Sequence, residues 1–177
     1  MKTLNKSEWK KITPKVKWIE GDSSRSYSTE EVIEKLKVHA YNKTNETRLM
    51  VGTDSHGVGK AFHFVTVIGV WHVGKGGTYF HKSSYEPRNR FKTQQYRLLE
   101  EVTKSLTVAL DIENEVGVKP EVHIDASPPT SAEFSATFSE NLRGYVLSSG
   151  YDAILKPDSF CANSIADKYT RKNTKDS

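Results

Sequence analysis

The sequence predicts an α/β fold: a five-stranded mixed sheet flanked by helices, in the order β-β-β-α-β-α-β-α, preceded by an N-terminal arm and a helix. Three observations carry this reading. Three strand-like stretches follow one another with short Gly-containing connections, which implies an antiparallel meander for the first three strands. Beyond them, long helical patterns alternate with short apolar strands, as layered α/β chains do. Two of the strands, 48–54 and 121–125, end on a single carboxylate.

The arm, residues 1–27, interleaves Trp9, Ile12, Val16, Trp18 and Ile19 with Lys10, Lys11, Lys15 and Lys17, and Pro14 opposes a long helix. Such a mixture either packs on the domain or binds single-stranded nucleic acid by stacking and charge. Ser28-Thr-Glu-Glu31 is a capping box, with Tyr27 and Val32 as its hydrophobic staple. It opens a helix over 29–40, whose apolar face is Val32, Ile33, Leu36 and Ala40. Strands are predicted at 48–54, 61–73 and 78–82, the second rich in β-branched and aromatic residues. Residues 83–90 read as a polar loop among Lys82, Arg88, Arg90, Lys92 and Arg97, suited to a phosphate-contacting rim or to plain solvation. A helix follows over 91–114. After the strand Glu121–Ala126, Thr130-Ser-Ala-Glu133 is a second capping box opening a helix to Ser148, with Gly150 as its C′ residue. A fifth strand spans Tyr151–Lys156, and Asp158 is the expected N-cap of the last helix. The expected organisation is a basic arm and helix over 1–47, one domain over 48–170 and a basic tail over 171–177.

Composition narrows the class. The chain has 177 residues, 36% hydrophobic and 27% charged, which fits one soluble domain with its own core. Its net charge of +4 suits a polyanionic partner such as nucleic acid, and suits equally a solvated lysine-rich surface. A lone cysteine, Cys161, excludes an intrachain disulfide and a cysteine-rich metal site, and reads as a packed thiol. Neither a signal peptide nor a run near the roughly 18 apolar residues of a membrane span is present, so the expectation is a cytoplasmic protein with no membrane partner.

The candidate chemistry lies in the acids. Asp54 and Asp125 close two strands, and period two puts His123 on the same side as Asp125. On the long helix, Glu101 falls about 60° from the middle of the face defined by Leu98, Val102, Ser105 and Ala109, whereas Glu100 falls on the far side. Asp167 lies on the last helix. Carboxylates converging on one point repel unless a cation neutralises them, and hard oxygen ligands favour Mg²⁺ or Mn²⁺. Two such ions about 4 Å apart can activate water and steady a leaving oxygen in phosphodiester hydrolysis. A serine-hydrolase reading lacks a nucleophile elbow, and no histidine pair has i,i+4 spacing on a helix.

The segments Val51-Gly-Thr-Asp54-Ser55, Arg97-Leu-Leu-Glu-Glu101-Val102, His123-Ile-Asp125, Lys156-Pro-Asp158-Ser159 and Ala166-Asp167-Lys168, in this order, resemble the ribonuclease H-like superfamily. More closely, they resemble its YkuK-type family of bacterial and phage proteins. The resemblance implies a catalytic two-ion site of Mg²⁺ or Mn²⁺. Asp54 would bridge the ions, Glu101 and Asp125 would hold one, and Asp167 the other. It implies phosphate contacts from Lys156 and Lys168, and a backbone or substrate bond from Ser55. The implied partner is nucleic acid: RNA, an RNA–DNA hybrid or branched DNA. Asp54 is followed by Ser-His rather than the Gly-Ser of typical ribonuclease H enzymes. His56 and His123 are the candidates for the mobile-loop histidine of some of those enzymes. The alternative is a catalytically inactive nucleic-acid-binding, structural or regulatory protein on the same fold.

Overall fold

A computed structural model of the chain describes residues 17–41, 46–132 and 136–172. The sheet has seven strands, in the order β2-β1-β5-β4-β3-β6-β7. The two beyond the expected five come from the arm. β1 (Trp18–Glu20) and β2 (Ser26–Tyr27) form an antiparallel hairpin, and β1 pairs with β5. Trp18 explains the extension: it is 1% exposed, packs into the main core, and donates its indole N–H to Thr29 Oγ1 at 3.3 Å. The expectations for residues 1–16, for Glu133 and for the end of the tail fall outside the described residues.

α1 (Thr29–Ala40) has the expected capping box. Glu31 N–H donates to Ser28 Oγ at 3.2 Å, and Ser28 N–H donates to the Glu31 carboxylate at 2.6 Å. β3 (Thr47–Val58), β4 (Ala61–His72) and β5 (Gly76–Pro87) are twelve residues each and form a continuous antiparallel meander. β3 therefore runs past Asp54 to Val58, because residues 55–58 pair with β4, so Asp54 lies within its strand and not at the expected end, and the expected polar loop begins later than residue 83. Residues 83–87 are held in the ladder by partners 61–65 of β4, and Tyr85 stacks on His63 with ring centroids 4.6 Å apart. Pairing to a formed neighbour outweighs the weak strand propensity of Ser83-Ser84. Only Arg88–Arg90 turn, as one 3₁₀ segment.

α2 (Gln94–Val116) starts at Thr93, whose hydroxyl accepts from Tyr96 N–H, and stops at Gly117 with φ +77°. β6 (Glu121–Ile124) pairs parallel to β3, and β7 (Ala153–Ile154) parallel to β6. β7 is shorter than the expected 151–156, although Lys156 N–H still bonds Ala126 O at 3.1 Å beyond its end. α3 (Ala136–Ser148) lies between them in the chain, and Gly150 follows it with φ +89°. Asp158 does not cap the last helix. The chain turns first, with Phe160 N–H on Asp158 O, and Ser159 O accepts the N–H groups of Ala162 and Asn163. A π-helical turn, Cys161–Ala166, then runs into α4 (Asp167–Lys172).

Apolar side chains of α1, α2 and α3 build the main core on one face of the sheet. The π turn and α4 cover the other face, against Met50, Val65 and Val67. That second contact is close because the sheet presents glycine there. A Cβ on Gly52 would lie 2.6 Å from Ala162 N, and one on Gly69 would lie 2.7 Å from Cys161 Sγ. Cys161 is fully buried, and burial pushes its thiol up to about 12, so it is the packed thiol the sequence suggests. Among the described residues no helix is long and apolar enough to cross a membrane.

Two glycines should respond oppositely to alanine. Gly52→Ala drives a methyl into backbone and should cost about 1–3 kcal/mol. Gly144→Ala, with nothing within 4 Å of the new methyl in the middle of α3, should stabilise by about 0.5–1 kcal/mol. Urea denaturation of both variants measures the two signs.

Candidate metal centre

Strand register places the first two acids. Thr53 and Ile124 are the last partners of the parallel β3–β6 pair, so Asp54, within β3, and Asp125, just past the end of β6, stand at the same level on neighbouring strands. Side chains alternate along β3. Thr53 and Ser55 face α2, bonded to Ser105 and Glu101, while Gly52 and Asp54 face the π turn and α4. The Thr170 hydroxyl, on α4, is 2.7 Å from Asp54 Oδ2 and 3.0 Å from the Asp167 carbonyl. Asp167 opens α4 one turn before Thr170, directly after the π turn. Such widened turns recur at functional sites.

Glu101 comes from the opposite side of the sheet. It is 3% exposed and accepts from Ser55 Oγ at 2.6 Å and from Arg97 Nη1 at 3.0 Å, both on Oε1. Arg97 Nη1 also donates to Ser55 O and Ser55 Oγ, each at 2.8 Å, so the three residues lock one another. Glu100 points elsewhere and pairs with Lys104 at 3.4 Å. Helix phase separates these neighbours.

Burial raises the Asp54 carboxyl to about 7, helped by the charges of Asp125 and Asp167 and opposed by the Thr170 hydrogen bond. Burial likewise raises Glu101 to about 8, opposed by Arg97 and Ser55 and helped by Asp54 and Asp125. The acids therefore feel one another across the sheet. Asp125 faces Lys156, whose ammonium is 2.8 Å from Oδ1, and Asp167 faces Arg171 Nε at 2.6 Å.

The donors are all hard oxygen atoms, and the buried Oδ1 of Asp125 makes no hydrogen bond of normal geometry. Oxygen donors fit a hard divalent cation, while at this Oδ1 a positive charge, the Lys156 ammonium, already stands. The cage is not closed, however: among the described residues no three His, Cys, Asp or Glu side chains stand together as a metal-ligand group. Carboxylates without an ion between them repel, so they must draw in to hold one.

Beside the acids a cleft of about 440 Å³ opens next to Ser55. Arg88, Lys92, Arg97 and His56 line it together with the start of α2 at Thr93 and Gln94, and no acidic side chain does. Gly57 makes room for the Arg88 guanidinium, which a side chain there would strike. The other predicted contacts lie elsewhere. Arg90 pairs with Glu86, and Lys168 pairs with Asp22 at 2.6 Å, tying α4 to the β1–β2 turn. His123 is no mobile-loop residue: it is 2% exposed and its Nδ1 accepts the Cys161 N–H at 3.3 Å. His56 is exposed on the cleft wall. Thr170, Arg97 as a clamp, and the pairing of Lys156 and Arg171 with acids are not read from the sequence. The one signal available for Thr170 is its i,i+3 spacing from Asp167.

Neither a curated protein nor a solved structure matches the chain significantly. A family model described as Ribonuclease H-like, that of the YkuK family, matches residues 31–171, from α1 through the site to α4. With its antiparallel meander, parallel β6 and β7 and helices on both faces, the chain belongs to the ribonuclease H-like family.

Proposed function

We propose that the chain is a divalent-cation-dependent phosphodiesterase acting on nucleic acid. The observation that carries this reading is Asp54, buried at the centre of the sheet, level with Asp125 just past the neighbouring parallel strand and met by α4, which carries Asp167, through Thr170. Mg²⁺ or Mn²⁺ suits these oxygen donors. When bound, such an ion lowers the pKa of a coordinated water and stabilises charge on the departing oxygen. The chain's own residues hold and orient. Asp54, Asp125, Asp167 and Glu101 would supply the ligands, and the Arg97–Ser55 clamp fixes Glu101 with Oε1 occupied. Arg88 and Lys92 in the adjacent cleft suit backbone phosphates, which position a strand without reading its sequence. RNA, RNA–DNA hybrids and branched DNA are the substrates to test.

A second reading, a catalytically silent nucleic-acid binder, draws on the basic partners that Glu101, Asp125 and Asp167 already have. Salt-sensitive binding without metal uptake or turnover would favour it.

Asp54→Asn should reduce Mg²⁺- or Mn²⁺-dependent cleavage of the susceptible substrate by about a hundredfold or more, the scale on which charge-stabilising groups act. Product analysis on denaturing gels reads this directly. Cleavage persisting at the wild-type rate would place the activity elsewhere.

Acidity gives an independent check. The folded pKa values of Asp54 and Glu101 lie above their unfolded values, so folding retains protons that the unfolded chain has released. In chelator, the stability linked to these groups is full below about pH 4 and is lost as pH rises through about 7 to 8. Thermal melts from pH 5 to 8.5 should show Tm falling by several degrees more in wild type than in Asp54→Asn. Mg²⁺ should flatten the wild-type slope, because the ion replaces the protons.

A further inference from the structure

Three of the acids already have a basic side chain of their own. Arg97 faces Glu101 at 3.0 Å, Lys156 faces Asp125 at 2.8 Å and Arg171 faces Asp167 at 2.6 Å. Asp54 has no ion-pair partner among the described residues and is met by the Thr170 hydroxyl. The three cations leave a single net negative charge on the set, which one divalent ion more than offsets. Even with Arg171 withdrawn, one divalent ion balances the two negative charges that remain, and a second would make the site positive.

The three basic partners are not equivalent. Arg171 has a side chain 70% exposed on the last described turn, so it can move into solvent and release Asp167. Arg97 is fastened to Ser55 and leaves Glu101 Oε2 without a hydrogen bond among the described residues. Lys156 is held by its backbone. Its N–H donates to Ala126 O, extending the β6–β7 pairing and setting Lys156 beside Asp125. The ammonium then faces the buried Oδ1 that has no regular hydrogen bond.

We propose that Lys156 takes the place of one of the two ions, so that the site holds a single divalent cation, centred on Asp54. This rests on the metal-dependent reading above. It changes the stoichiometry that the acid pattern implies and gives Lys156 a positioning role at Asp125. An ammonium supplies one positive charge and three donors, which serve both a carboxylate and a nearby phosphate oxygen.

Equilibrium dialysis with Mn²⁺, followed by electron paramagnetic resonance, counts the ions and distinguishes an isolated ion from a coupled pair. Wild type should bind one Mn²⁺ with an isolated-ion spectrum. Lys156→Gln should bind two, the second at least tenfold more tightly than wild type takes any second ion, with the broadening of a coupled pair. Lys156→Arg, which keeps the charge, should bind one. Two ions of comparable affinity in wild type, or one ion in all three proteins, would overturn the proposal and leave the metal-dependent reading standing. No Mn²⁺ uptake by wild type, or unchanged uptake by Asp54→Asn, would remove both. Wild type alone gives a second measurement should Lys156→Gln not fold. Acetylation of Lys156 by acetic anhydride, mapped by peptide mass, should be unchanged by Mn²⁺. Increased labelling would mean that the ion displaces the ammonium, which contradicts its role.

Discussion

A carboxylate buried in the middle of a sheet is expensive to keep, and Asp54 is 6% exposed. Much of the molecule around it is arranged to meet that cost. Gly52, two residues earlier on the same face, lets the π turn approach the sheet at backbone distance. That approach brings α4 over β3, and with it the Thr170 hydroxyl onto Asp54 and Asp167 to its side. On the opposite face Ser55 turns toward α2 and, with Arg97, holds Glu101. One strand thus organises two acid-bearing helices on opposite faces because its side chains alternate.

The electrostatics follow from the same packing. Asp54 and Glu101 are raised chiefly by burial, and neighbouring acids add to the effect. Asp125 and Asp167 are each met by a basic side chain that the fold delivers, Lys156 from beyond β7 and Arg171 from one turn along α4. The cationic cleft beside Ser55 has no acid in its lining, so positive and negative regions adjoin across Arg97. On the proposed reading, a polyanionic strand and a cation would meet at that boundary, each drawn by its own region.

Much of the scaffold was legible in local patterns. The Ser28–Glu31 box, the αL glycine at 150 and the meander from β3 to β5 depend on residues near in sequence. The inward phase of Glu101 follows from helix geometry, whereas Asp54 and Asp125 stand at one level through the β3–β6 register, with β3 continuing past Asp54 to Val58. Less legible were features that depend on a distant partner. The β1–β2 hairpin exists because Trp18 finds the main core. Residues 83–87 are strand because β4 is there to pair with them. An Asp before a helical pattern looks like a cap, but the last helix starts beyond Asp158, because the chain first turns to bring Cys161 against Gly69.

The sequence by itself determined the order of elements from α1 onward, the family pattern, the acids that belong to it and the inward phase of Glu101, because periodicity and capping are local properties of the chain. Only the tertiary structure decided how those acids are compensated. The contacts of Thr170 with Asp54, Lys156 with Asp125 and Arg97 with Ser55 and Glu101 join residues 116, 31, 42 and 4 positions apart. All but the last depend on strands and helices packing at distances no local pattern encodes. Charge balance at a site is a property of what packing brings together.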